Sequence, residues 1–328
     1  MAGPHQGNLF SDSLSEESIL ADTPAGTWEQ DAAKRALDEL FTLTYQYKSS
    51  KSFHELLQFV ARFRFYSPFN AMLVHVQMPG ARFVAPPYRW LRDYERRIKP
   101  GARPLVILQP MGPVMFVFDV SDTEPIKGAR PLPPEVDRPF EVIKGRIGGR
   151  LKLVTDNAKR DGVRVTESPA GSQSAGSIQQ VPSAVRESQL FQDGVDKYRN
   201  PVFINIPIRY DLIINSKLTS EAQYVTMVHE LAYLYCGHLG TPNDRWWPDR
   251  RGLNHAVCEF EAESVAYLVC TRLNIDNPSA QYLSGYVGKH EQVPPISLEC
   301  VMKAAGLIET MSRQKMKPRK PLKKEAGG

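Results

Sequence analysis

The sequence predicts an α+β protein of two domains, and three observations predict it. Apolar residues recur at helical spacing near both ends of the chain, Val/Ile/Phe runs bounded by turn residues lie between them, and a Pro-rich stretch at 126–139 divides the halves. The first half is expected to join helices to a β-hairpin. The second is expected to pack a small antiparallel sheet on helices. With 328 residues and 42% hydrophobic content, the chain can bury a sizeable core.

Residues 1–27 are rich in Ser, Gly, Pro and acids without apolar periodicity, and read as disordered. From Trp28 to about Val76, "AAKRALDELFTL", "SFHELLQFVARF" and "NAMLVHVQ" predict two or three helices, with a Ser-Pro break in "YSPFN". The runs Leu105–Leu108 and Val114–Val120, separated by "QPMGP", predict the hairpin that closes a first domain over 28–125. Prolines in "ARPLPPEVDRP" make 126–139 a linker. In the second domain, 140–312, "LKLVT", "GVRVTES" and "PVFINIP" read as short strands, with a Ser/Gly-rich turn at 168–177 and a helix near 140–150 or 156–161. The period then changes to 3.6. Thr219 or Ser220 can cap a helix running to Gly237, "HAVCEFEAESVAYLVCTRL" makes a second over about 255–273, and two more follow near 278–288 and 296–312.

Composition excludes some classes of function. No apolar run is long enough to span a bilayer, and no charged, apolar and small-residue succession marks a secretion signal, so a cytoplasmic protein without membrane contact is expected. Cys236, Cys258, Cys270 and Cys300 form no CxxC pair, which argues against a disulfide framework and a Cys-ligated zinc site. The net charge of +5 sits in the tail, 313–328, whose seven Lys/Arg and one Glu leave residues 1–312 at −1. Such a tail can bind phosphates or stay solvated.

The chemistry concentrates in "VHELAYLYCGHLG", residues 228–240. His229 and Glu230 stand in the frame of an HExxH helix, in which two histidines one turn apart reach one Zn²⁺ and the glutamate polarises its water; Tyr233 occupies the second histidine's position. The next helix offers Glu259 and Glu263 on one face, with His255 a turn earlier. His229 and Glu259 can therefore recruit His255 or Glu263 as the missing donor, or Tyr233 can ligate as phenolate. His238 lies nine positions beyond His229, on the far face of a continued helix unless Gly237 ends it. Two polar residues on a partly solvated helix would also read HExx; the acidic second helix is what favours the metal centre.

These segments, from "PVFINIP" through "CEFEAESVAYLVCTRLNI", resemble the ImmA/IrrE family of zincin-type metallopeptidases. That resemblance implies a zincin-like C-terminal domain with His229 as zinc ligand, Glu230 as general base, Glu259 as third ligand and Glu263 as its rival or orienting carboxylate, acting on a peptide or protein. "FNAMLVHVQMPGARFVAPPYRWLRDYERRIKPGARPLVILQP" is similar to the N-terminal domain of ArdC-type antirestriction proteins, which implies single-stranded DNA binding. Its cations, Arg82, Arg89, Arg92, Arg96, Arg97, Lys99 and Arg103, alternate with Phe83, Tyr88, Trp90 and Tyr94; cations can follow phosphates while bases stack on rings. The same composition describes a helix with a solvated Arg face and a buried aromatic face. Tyr233 departs from HExxH, so the alternative is a nonenzymatic ArdC-like antirestriction protein that keeps a degenerate zincin domain as scaffold. His54 and His75 lie in apolar helical patterns and read as structural.

Overall fold

The computed structural model describes residues 47–109, 112–133, 136, 147–169, 175–182 and 187–319. The reading of 1–27 as disordered and the helical reading of residues 32–43 lie outside them, as do parts of the linker and tail. The fold class is α+β.

Helix α1 (Ser50–Arg62) starts where the Ser49 hydroxyl accepts the Ser52 N–H. It buries Phe53, Leu56, Leu57 and Val60, the i, i+3, i+4, i+7 stripe read from the sequence. Helix α2 (Pro68–Gln77) opens on Pro68 behind a Ser67 cap, so the Ser-Pro break is a helix start. Then come β1 (Val84–Ala85), α3 (Pro87–Tyr94), β2 (Arg96–Ile98), β3 (Leu105–Gln109), β4 (Gly112–Asp119) and β5 (Thr123–Pro125). The expected hairpin is β3–β4, with Leu105 opposite Val117; β1 pairs with the far side of β4, and β2 pairs with β5. The free edge of β3 is closed by amide side chains of α2. Asn70 bonds the Leu108 N–H and C=O, both at 2.9 Å, and Gln77 bonds those of Val106 at 2.8 and 2.9 Å. These contacts satisfy edge groups that would otherwise invite another strand.

The stretch "LKLVT", read as a strand, lies in helix α4 (Arg150–Lys159) instead. Its buried positions are Val154, Asn157 and Ala158, a helical spacing masked in the sequence because one of them is polar. Asn157 is buried because its amide donates to the carbonyls of Met311 and Gln314 at 2.7 and 2.8 Å.

Strands β6 (Val163–Ser168), β7 (Gly176–Gln180), β8 (Ser188–Val195), β9 (Pro201–Pro207) and β10 (Tyr210–Asn215) follow. One sheet has the order β6-β10-β7. β10 runs antiparallel to β7 as expected but parallel to β6, because the long connection through β7–β9 lets the chain return in the same direction. β8 and β9 form a separate two-stranded ribbon. The chain then turns helical: α5 (Ser220–Tyr235), α6 (His255–Arg272), α7 (Ser279–Val287) and α8 (Leu298–Arg313).

One hydrophobic core takes Phe53 to Val76 from α1 and α2 together with Leu231, Val265 and Ile308 from α5, α6 and α8. A smaller cluster gathers Phe83, Ala85, Trp90, Val120 and Val136. Arg272 ties the helices of the large core. Buried at the end of α6, it pairs with Glu309 of α8 and donates to the carbonyls of Val60, Phe63 and Tyr66 at 2.7, 2.9 and 2.6 Å. Among the described residues no helix is long and apolar enough to cross a membrane.

The end of α5 depends on Gly237. Its φ is +85°, and a Cβ there would lie 2.1 Å from the carbonyl oxygen of Pro248. Gly237→Ala is therefore expected to destabilise the protein by about 2 kcal/mol or more, read as a lower urea midpoint at unchanged slope. A midpoint equal to the parent's would refute this account of the turn.

Candidate metal centre

Helix α5 starts at a Thr219 cap, whose hydroxyl accepts the Ala222 N–H, and buries Tyr224, Met227, Val228, Leu231 and Leu234. That packing turns His229 and Tyr233 toward α6, with Glu230 beside His229. Helix α6 starts at an Asn254 cap, whose side chain accepts the Ala256 N–H at 2.8 Å. From it Glu259 and Glu263 meet His229. The Nε2 of His229 is 3.7 Å from Glu259 Oε2 and 3.6 Å from Glu263 Oε1, and one donor atom from each of the three residues lies within 4.8 Å of the others. Glu230 Oε1 is 3.6 Å from His229 Nδ1.

This set fits a divalent cation. Imidazole and carboxylate are both ligand types that Zn²⁺ takes, and a set richer in carboxylates suits Mn²⁺ as well. The second oxygen of Glu263 is buried without a hydrogen-bond partner among the described residues, and a bound cation would satisfy it. Without a metal ion, a proton on His229 meets the same carboxylates. Burial opposes charge on His229, yet Glu230, Glu259 and Glu263 push its pKa up to about 10, while His229 holds Glu259 down to about 2.

Tyr233 stands beside this set. Its hydroxyl donates to Glu259, and its ring meets that of His229 at 5.6 Å, edge to face. Burial first, then Glu259, pushes the phenol well above its ordinary range, which keeps its proton in that hydrogen bond. His255 is at the exposed first turn of α6, its Nε2 3.6 Å from Glu259 Oε1 and outside the three-donor cluster. Of His255, Glu263 and Tyr233, the three donors open to the second histidine's role, Glu263 is the one grouped with His229 and Glu259.

Sequence reasoning missed the group behind the site. Glu261 is wholly buried between Glu259 and Glu263 in sequence but on another face of α6. It accepts Arg250 through both oxygens at 2.6 and 2.7 Å, His238 at 2.7 Å and the Ser297 N–H at 2.6 Å. Burial would protonate it, but these partners hold its pKa below the usual range. His238 also packs edge-on against Tyr233 at 5.3 Å. Cys236, His238 and Glu261 lie within ligating distance of one another, but the guanidinium already neutralises the carboxylate, so the cluster is an anchor for the loop after α5. An acid on an otherwise apolar helix face was the available signal.

The residues read as a nucleic-acid surface are dispersed in depth. Trp90 is fully buried, its indole N–H donating to Phe118 C=O at 2.9 Å, and Phe83 is buried against it. This corrects the stacking role for Trp90, which has no ring face open to a base. Tyr94 is half-buried, and Tyr88 is 44% exposed with Arg92 over its ring. Arg89 and Arg92 pair with Asp93, Arg96 bonds Thr123, and Lys99 donates to Ser121 C=O. Arg82, Arg92, Arg97, Lys99 and Arg103 are exposed.

No family model matches this chain, and no curated protein does. Two solved structures of the antirestriction ArdC protein from the R388 plasmid are similar to it. The metal-free one has a TM-score of 0.33 and 12% identity, covering 79% of this chain and 94% of that one. The Mn(II)-bound one has a TM-score of 0.32 and 13% identity, covering 79% and 93%.

Proposed function

We propose that this chain is a zincin-type metallopeptidase of the ImmA/IrrE kind in which α6 supplies the ligand that α5 lacks. His229, Glu259 and Glu263 would hold one divalent cation, with zinc the ion the resemblance implies. The carrying observation is the convergence of these three side chains with a buried Glu263 oxygen that has no hydrogen-bond partner among the described residues. A bound cation supplies Lewis acidity and lowers the pKa of a coordinated water. Glu230, beside His229, takes the proton from the attacking water and returns it to the leaving amine of a peptide substrate. Tyr233 orients Glu259 through its hydroxyl, as a residue that acts on a ligand. In this reading residues 140–312 carry the hydrolytic centre.

The test joins metal content to cleavage. Protein purified with one equivalent of metal should cleave an unstructured protein substrate, and Glu230→Gln should retain the metal while losing at least a hundredfold in rate. Equal rates for both proteins would reject Glu230 as the base.

A second reading rests on Tyr233 and on the exposure of Arg82, Arg92, Arg97, Lys99 and Arg103. There residues 28–125 bind single-stranded DNA, and the metal centre serves as scaffold in a nonenzymatic antirestriction protein. It predicts binding that weakens steeply with salt and is indifferent to chelator and to Glu230→Gln. Salt-independent binding, or none, would remove it.

A further inference from the structure

The basic tail does not leave the body at the end of α8. Met316 N–H donates to Asn157 Oδ1 at 2.9 Å, and the Asn157 amide holds the carbonyl of Gln314. Three residues on, Arg319 is inserted between side chains far from it in sequence. Its guanidinium carbon is 5.1 Å from the ring centre of Trp246 and 5.2 Å from that of Trp247, and Nη2 donates to Asp161 Oδ2 at 3.1 Å alongside a second bond from Nε. Asp161 has no exposed side-chain surface.

Two indoles and a buried carboxylate presented to the guanidinium fork are what recognition of arginine requires. The rings attract the cation and the carboxylate fixes its plane. Asp161 is not there only for Arg319, because Arg160 pairs with it at 3.1 Å and the Tyr235 hydroxyl donates to it at 2.9 Å. Removing Arg319 therefore leaves a paired anion and a preformed pocket. Beside the guanidinium a cavity of about 450 Å³ remains open, lined by Trp246, Trp247 and Tyr235, by Asp244, and by Glu299 paired with Lys303. The tail fills one wall of a site that has room for more chain.

We propose that the pocket of Trp246, Trp247 and Asp161, with the cavity beside it, is a receptor for an arginine-bearing basic peptide of a partner protein, and that Arg319 occupies the pocket in cis as an exchangeable built-in ligand. The site is separate from the candidate metal centre and shares none of its ligands. The cis arginine sets a threshold, since a tethered ligand is present at high effective concentration and only a segment with more contacts along the cavity displaces it.

The probe is a synthetic peptide copying residues 315–320, Lys-Met-Lys-Pro-Arg-Lys, titrated into full-length protein while tryptophan fluorescence is followed. Arg319→Ala should give a saturable change, and the parent should need at least about tenfold more peptide for the same change. Norleucine in place of the peptide's arginine, or Asp161→Asn added to Arg319→Ala, should abolish it. Arg319→Lys, which keeps a cation without the fork, should be displaced at intermediate peptide concentration; this variant carries the test if the alanine protein fails to fold. The proposal is overturned if Arg319→Ala has a native circular dichroism spectrum and no response, or if it and the parent bind the peptide alike. It is also overturned if sedimentation shows the parent self-associating through Arg319, because the occupant in trans is then a second copy.

Discussion

Arg272→Ala is expected to lower the free energy of unfolding by about 3–5 kcal/mol. The side chain is 1% exposed and its partner Glu309 4%, so truncation leaves a carboxylate buried without its main counter-charge. Three carbonyls, of Val60, Phe63 and Tyr66, lose their donor in the same step. Arg313 reaches Glu309 only at 3.5 Å and from an exposed position, so it offers little compensation. The control is Lys303→Ala, which breaks an exposed pair with Glu299 one turn away and should change stability by less than about 0.5 kcal/mol. Urea unfolding of the two variants beside the parent measures both. A loss under about 1 kcal/mol for Arg272→Ala would mean that α1, α6 and α8 are held by apolar packing alone.

What the sequence shows and hides follows from the reach of each interaction. Helices α1, α5, α6 and α8 were legible because their stripes and caps are local: Phe53 to Val60 on one face, Thr219 three residues before the N–H it accepts. Helix α4 was misread because Asn157 interrupts the apolar period, and the reason it is buried lies on α8, about 150 positions away. The centre divides in the same way. His229, Glu230, Glu259 and Glu263 could be nominated from spacing, since each pair lies on one helix. His255, Glu259 and Glu263 share a single stripe, and nothing in that stripe tells which end faces α5. Tyr233 read as a departure from HExxH, because its hydrogen bond to Glu259 spans two helices. The aromatic residues from Phe83 to Tyr94 were ambiguous for the opposite reason: rings that stack on bases and rings that fill a core have one composition, and only burial separates Trp90 from Tyr88.

Divalent metal is expected to stabilise the protein through His229, Glu259 and Glu263. A ligand that binds the folded chain alone at a hundred times its dissociation constant adds about 2.7 kcal/mol to the free energy of unfolding. The metal-free parent, stripped with chelator and dialysed, should gain a shift of that order in thermal or urea unfolding on titration with Zn²⁺ or Mn²⁺. His229→Ala should abolish the shift. Glu263→Gln is the more discriminating variant. Without metal it removes one of the carboxylates that face His229, so the metal-free protein should lose some stability. It also removes a ligand, so the response to metal should vanish. If Glu263 only balanced the charge of His229, the metal response would be kept. Tyr233→Phe separates ligand from orienting group. Loss of the hydroxyl that holds Glu259 should weaken metal affinity about 10–100-fold without abolishing it. Complete loss would make the phenol oxygen itself a ligand, and an unchanged affinity would leave Tyr233 only a packing role.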